Sequence, residues 1–218
     1  MAFAQMMHQA FVSQQMSSMK GMKKFGDGAM NAMKKELGQM HMRDSFAPKL
    51  RKESNQKQLK NVCEAVNSTK QKKDGKMKGR TCADGRKQRN CISKEESASP
   101  TAHTESVITT GATEAKEKHK VMSSDVPNAF TQTKVDNPEE RMTLVLRGTA
   151  ANISADMAPE IHEECPCEER GDSVLCSECT NATHGTSMTA SLFHGKFREN
   201  LEKVGFEVNP YDRCVANE

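Results

Sequence analysis

Met30, Met33, Leu37 and Met40 recur at steps of three and four residues, the spacing that places side chains on one face of an α-helix. They predict a core-facing helix over about 28–42, limited by Pro48. Leu59, Val62, Cys63 and Val66 fall on one side of a second helix of roughly 53–66, with Ser54 as its cap. The polar turn Lys73-Asp74-Gly75 leads into a strand near 76–83, and Asp84-Gly85 makes another turn. The segment 86–100 is polar and irregular. A helix over about 101–118 follows Pro100, weakened by Gly111, and a short strand then ends at Asp125. Met142, Leu144 and Leu146 alternate with Thr143, Val145 and Arg147, a strand pattern. A helix over 149–162 and a strand near 173–179 come next. Phe193, Phe197, Leu201 and Val204 mark a strong helical stripe over 186–204, ended by Gly205. The tail 206–218 reads as a loop entering a strand. Residues 1–20, rich in Met and Gln, read as a loose amphipathic helix or a disordered tail, and no internal repeat is present.

Composition qualifies this α+β pattern. Leu, Ile, Val and Phe make up 32 of the 218 residues, about 15%, below the roughly 20% under which disorder becomes plausible, although the net charge of +3 is small. Fifteen Met residues partly fill the deficit, but Met specifies a unique packing poorly. Weak stability with disordered segments is the expectation. No run approaches the roughly 18 apolar residues of a membrane span, and no basic-then-apolar leader opens the chain. The expectation is a non-secreted protein whose eight Cys are reduced thiols.

The charge is concentrated. Nine Lys and Arg fall between Lys70 and Arg89, with Lys60 a tenth just upstream, against two Asp. Such a local excess suits nucleic acid or a triphosphate, and a solvated loop is the bland alternative. Lys72, Lys73, Lys76, Arg86, Lys87 and Arg89 are the nucleic-acid-binding candidates. Lys78 and Arg80 share one face of the strand 76–83, and a fork-shaped guanidinium beside an ammonium suits a triphosphate. The stretch Ser124-Asp125-Val126-Pro127-Asn128-Ala129-Phe130 places a carboxylate at the end of a short apolar run, five residues before an aromatic. A templated polymerase needs a carboxylate that holds a divalent ion and an aromatic that floors the sugar pocket beside it. Alone, Asp125 before Val-Pro is more often a turn or cap residue.

Taken together, these blocks resemble, in order, the reverse transcriptase domain of copia-type retrotransposon polyproteins. The resemblance runs through Met22-Lys23-Lys24-Phe25-Gly26, Met40-His41-Met42-Arg43 and Gln56-Lys57-Gln58-Leu59 to its most distinctive block, Lys73 through Arg89. Ser99-Pro100-Thr101, Glu105-Ser106-Val107, the Asp125 motif, Leu146-Arg147-Gly148-Thr149 and Ala158-Pro159-Glu160-Ile161 follow, and Val204 through Asp212 with Cys214-Val215-Ala216-Asn217 closes it. It implies fingers over about 50–120 and part of a palm over about 121–218, the partial fold of a right-hand polymerase. It also implies RNA-directed DNA synthesis, Mg²⁺ held by Asp125 and the Val126 carbonyl, and Phe130 as the sugar gate. Lys78 and Arg80 become triphosphate contacts. The implied partners are an RNA or DNA template-primer, deoxynucleoside triphosphates and the rest of a polyprotein, in a cytoplasmic particle.

The chain also departs from that pattern. Where similar proteins carry a Lys-x-Leu-Tyr-Gly-like turn, it has Thr180-Asn181-Ala182-Thr183-His184-Gly185. The family's paired aspartates follow a segment like Cys214 to Asn217, whereas this sequence stops at Glu218, so a catalytically inactive fragment is expected. His162, Cys165, Cys176, Ser177, His184 and Arg213 replace apolar or aromatic residues, the mark of an unselected copy. One alternative is a non-catalytic nucleic-acid-binding protein using the basic block 70–89. Another is a small zinc module at 162–184, in which Cys165, Cys167, Cys176 and Cys179 are spaced as C-x-C and C-x-x-C.

Overall fold

A computed structural model describes residues 15–49, 62–90, 92–162, 166–169 and 171–217. Two helices open it, α1 (Ser18–Phe25) and α2 (Asp27–His41). The Ser17 hydroxyl accepts from the Lys20 amide to cap α1, and Gly26 at φ 51° turns the chain into α2. Of the expected stripe, Met33, Leu37 and Met40 are buried and Met30 is partly buried against the same core, while Ala29 is buried beside it. The tail 1–20 fares differently: its described part is a short strand, β1 (Gln15–Ser17), and the first turn of α1. The rest lies outside the described residues.

Among the described residues seven strands form one mixed sheet. β3 (Val62–Gln71) and β4 (Met77–Ala83) make an antiparallel hairpin in register from Ala65↔Ala83 to Gln71↔Met77. Its turn closes with the Lys72 amide on the Lys76 carbonyl at 2.8 Å and requires Gly75 at φ 80°. β1 pairs with the far half of β3, while β5 (Met142–Arg147) runs parallel to its near half, Val62↔Thr143 to Glu64↔Val145. β7 (Asp172–Cys179) is antiparallel to β5, and its other edge carries β2 (Phe46–Pro48) and β6 (Pro166–Glu169). Arg147 locks three of these strands together, donating from Nε and Nη2 to Glu64 and from Nη1 to Glu169, each at 3.0 Å.

The core lies between this sheet and the α2 stripe, joined by α5 (Thr149–Met157) through Ala150, Ala151 and Ile153. Leu144, Leu146, Leu175 and Cys179 face it from β5 and β7, whereas Val145, Val174 and Cys176 form a second cluster on the opposite face. α2 sits close against β4: a Cβ on Gly79 would come within 2.6 Å of the Ala32 carbonyl oxygen.

Several expectations are corrected. From Val62 onward the second expected helix is strand β3, and its earlier part lies outside the described residues. No strand ends at Asp125, since residues 119–126 are exposed and irregular, with no neighbouring strand to pair. The 149–162 helix breaks at Ala158, before Pro159, into α5 and a short α6 (Pro159–His162). The segment 86–100 is not wholly irregular, since it holds most of a 3₁₀ turn, Gly85–Asn90, and a short helix, α3 (Lys94–Ser97). The helix expected over 101–118 is present as α4 (Thr104–Glu117), which buries none of its residues. The last helix, α7 (Thr189–Lys203), leaves its stripe half covered, with Phe197 46% exposed and Val204 70% exposed. The tail closes as a small hairpin of β8 (Glu207–Val208) and β9 (Ala216–Asn217). No helix among the described residues is long and apolar enough to cross a membrane.

Candidate functional site

The alternation of β4 buries Gly79, Thr81 and Ala83 and turns Lys78, Arg80 and Cys82 the other way. Facing them, the 3₁₀ turn Phe130–Gln132 brings a ring down from the irregular segment that begins beyond α4. Between these walls lies a cleft of about 380 Å³, the size of a small-ligand pocket. Lys78 and Arg80 line it, and so do Asp125, Val126 and Phe130. Five residues singled out in the sequence from two distant blocks therefore share one cavity. Neither Lys78 nor Arg80 forms an ion pair with another described residue.

Local hydrogen bonds hold the loop wall. Asn128, at φ 52°, donates from Nδ2 to Gln39 Oε1 on α2 at 3.1 Å, and its carbonyl accepts the Thr131 hydroxyl at 3.0 Å. Asn181 Nδ2 donates to the Thr131 carbonyl at 2.7 Å, and the Ala182 amide donates to the Thr133 carbonyl at 2.8 Å. These bonds carry the chain from the loop wall to His184, which completes the cleft. The His184 ring stands 4.8 Å from that of Phe130, and its carbonyl accepts the Ala83 amide at 2.6 Å. Gly185 follows at φ 94°, so close to Ala83 that a Cβ would stand 2.1 Å from its carbonyl oxygen. Partial burial pushes the His184 imidazole below its ordinary range; Glu36 pulls it up, and Arg80 and Lys78 push it further down.

Of the cleft residues that the sequence pattern does not assign to a site, which also include Thr81, Cys82 and Asn128, His184 and Glu36 bear most on its charge. His184 stands out only as a departure from a motif. Glu36 gives no signal, being a polar position on a helix that reads as core-facing. Its carboxylate accepts the Thr81 amide at 3.3 Å, on the outer edge of β4.

The basic block is split among three places. Lys72, Lys73 and Lys76 ring the exposed hairpin turn, away from the cleft. Arg86 is engaged by Asp84 at 2.8 and 2.5 Å, and that hydrogen-bonded guanidinium pulls the Asp84 carboxyl down to about 2. Arg86 and Arg89 line a second, open hollow of about 590 Å³ with Lys94, while Lys87 is simply exposed.

The described donors do not fit a two-ion metal centre. Asp125 is exposed on an irregular segment, Glu36 is turned to a backbone amide, and no group of three His, Cys, Asp or Glu converges among the described residues. Two cations without described ion-pair partners, beside one exposed carboxylate and a second already engaged by a backbone amide, suit a phosphate anion better than a bare divalent ion. The zinc alternative meets a geometric obstacle. Cys176 and Cys179, an odd number of residues apart on a straight strand, point into opposite core clusters, and Cys167 is exposed on β6. Cys165 lies outside the described residues.

No family model, no curated protein and no solved structure matches this chain.

Proposed function

We propose that the chain carries a copia-type reverse transcriptase fold, with fingers and part of a palm, that keeps a phosphate-binding cleft and does not perform nucleotidyl transfer. The observation that carries this reading is the convergence of Lys78 and Arg80 with Asp125, Val126 and Phe130 on one cavity. The resemblance by itself implies triphosphate contacts for the first pair and the metal and sugar side for the second group. The cleft chemistry agrees: an ammonium and a guanidinium without described ion-pair partners, facing an aromatic ring, suit a nucleoside triphosphate.

Transfer chemistry is outside the reading because the two carboxylates of the cleft, Asp125 on an irregular segment and Glu36 on a helix and bonded to the Thr81 amide, do not make a pair from neighbouring strands among the described residues. A second reading, non-catalytic nucleic-acid binding by the basic block, is favoured by the exposure of Lys72, Lys73 and Lys76 around the hairpin turn.

The test is calorimetric titration of the purified protein with thymidine triphosphate, beside a primer-extension assay. Binding is expected in the wild type. The Lys78→Ala/Arg80→Ala double variant is expected to weaken it at least tenfold, because each charge-assisted contact contributes about 1.5–3 kcal/mol. No primer extension is expected. Triphosphate binding that is indifferent to both substitutions refutes the cleft, and extension that depends on Asp125 refutes inactivity. Salt-dependent RNA binding abolished by Lys72, Lys73 and Lys76 substitutions, with no triphosphate binding, selects the second reading.

A further inference from the structure

We propose that His184 is a third phosphate-binding group of this cleft, one that takes up a proton as the anion enters. The inference rests on the phosphate-binding reading above and adds to it a residue that neither the basic block nor the family pattern supplies.

Position comes first. Cys82 and His184 line the cleft from two chain segments joined by the bond from the Ala83 amide to the His184 carbonyl, so the imidazole is fixed on the same wall as Lys78 and Arg80. Its ring is held against Phe130 at a tilt of 60°. Phe130 offers neither donor nor acceptor, so that contact takes up no hydrogen bond of the imidazole, and no hydrogen bond to its ring nitrogens from a described residue is present.

Charge comes second. The groups that act on the ring are Glu36 from α2 and Lys78 and Arg80 from β4, and Asp125 stands on the loop side of the same cleft. Partial burial and the two cations disfavour a third positive charge, and Glu36 alone offsets them, so the unliganded ring is neutral at neutral pH. A polyphosphate between these walls reverses the balance. Its negative charge cancels the repulsion from Lys78 and Arg80 and gives an imidazolium N–H an acceptor. The imidazole then binds a solvent proton and donates to a phosphate oxygen, with no bond broken in the ligand. The family-like Tyr at this position could stack but could not charge.

The experiment compares wild type with His184→Tyr, using thymidine triphosphate as the probe between about pH 8 and about pH 5.5. The probe titrates in that range too, but its own protons are common to both proteins and cancel in the difference. Relative to the variant, the wild type is expected to gain about tenfold in affinity on going to the acid end, the worth of one charge-assisted hydrogen bond. Calorimetry in two buffers of different ionisation enthalpy is expected to show extra proton uptake by the wild type. Should the variant misfold, NMR titration of the wild-type imidazole, with and without the probe, reads the same proton directly: its midpoint should rise on binding. Parallel pH profiles, or a midpoint unmoved by bound triphosphate, overturn the proposal while leaving Lys78 and Arg80 in place. Absence of triphosphate binding at every pH overturns both this proposal and the reading beneath it.

Discussion

Ser177 is fully buried on β7, and its hydroxyl has no hydrogen-bond partner among the described residues. Leu175 and Cys179, on either side of it along the same face, both belong to the main core, and the strand neighbours in register are Leu144 and Pro48. A hydroxyl taken out of water without a partner costs about 1–3 kcal/mol. Ser177→Ala removes that cost and adds no volume. A small loss of strand preference, about 0.5 kcal/mol, offsets part of the gain. Ser177→Val introduces a β-branched apolar side chain, adds roughly 0.8 kcal/mol per buried carbon group, and risks about 1 kcal/mol of crowding. The expected order of stability is Val, then Ala, then Ser, with Val ahead of Ser by about 1–2 kcal/mol. In a domain of this size that raises the melting midpoint by roughly 2–8 °C. Urea unfolding followed by far-ultraviolet circular dichroism supplies the free energies, and a thermal scan supplies the midpoint. If both variants prove less stable than Ser177 by more than about 1 kcal/mol, the hydroxyl is satisfied by water and the reasoning fails.

Two further outcomes follow from the same packing. Gly185→Ala puts a methyl 2.1 Å from the Ala83 carbonyl at a left-handed φ, so the seam between Ala83 and His184 must open. A loss of at least about 2 kcal/mol in urea unfolding and a collapse of triphosphate affinity are expected, and a variant as stable as wild type with unchanged binding contradicts this. Burial pushes the Cys63 thiol up to about 11 and the Cys179 thiol up to about 12, whereas Cys167 is exposed. Alkylation with iodoacetamide at neutral pH, read by peptide mass spectrometry, should label Cys167 quickly and Cys63, Cys176 and Cys179 only after denaturant is added. Equal rates at Cys167 and Cys179 in native protein would show that β7 is not packed as described.

Local periodicity is a good guide wherever one element decides its own fate. The stripe of α2, the alternation of β4 and the apolar run of β5 can all be read without knowing what lies beside them. The segment after Val62 cannot. Val62 and Val66 are four apart, which satisfies a helical turn and two strand repeats equally, and pairing with β1, β4 and β5 decides in favour of the strand. The strand expected before Asp125 fails for the converse reason: its short apolar run, Val121 and Met122, is 78% and 87% exposed, with nothing to pair with. The site is legible in the same partial way. Lys78, Arg80, Asp125 and Phe130 announce themselves through residue type and spacing. Glu36 reaches the cleft only because Gly79 lets α2 approach β4 closely, a tertiary fact with no local trace.

The absence of buried residues in α4 bears on how a ligand reaches the cleft. This helix is tied at its start by the His103 amide on the Asp212 carboxylate at 2.9 Å and ends at Lys118 in a left-handed turn. The bare strap beyond it leads directly to Asp125 and Phe130. Without a hydrophobic anchor, such a stretch detaches at a small fraction of the free energy needed to melt the sheet. Loosening stops at Asn128, whose side chain is bonded to Gln39, and Phe130 itself stays packed on His184 and Phe193. A guest can therefore be admitted from the Asp125 side while the β4 cations and the aromatic ring keep their places.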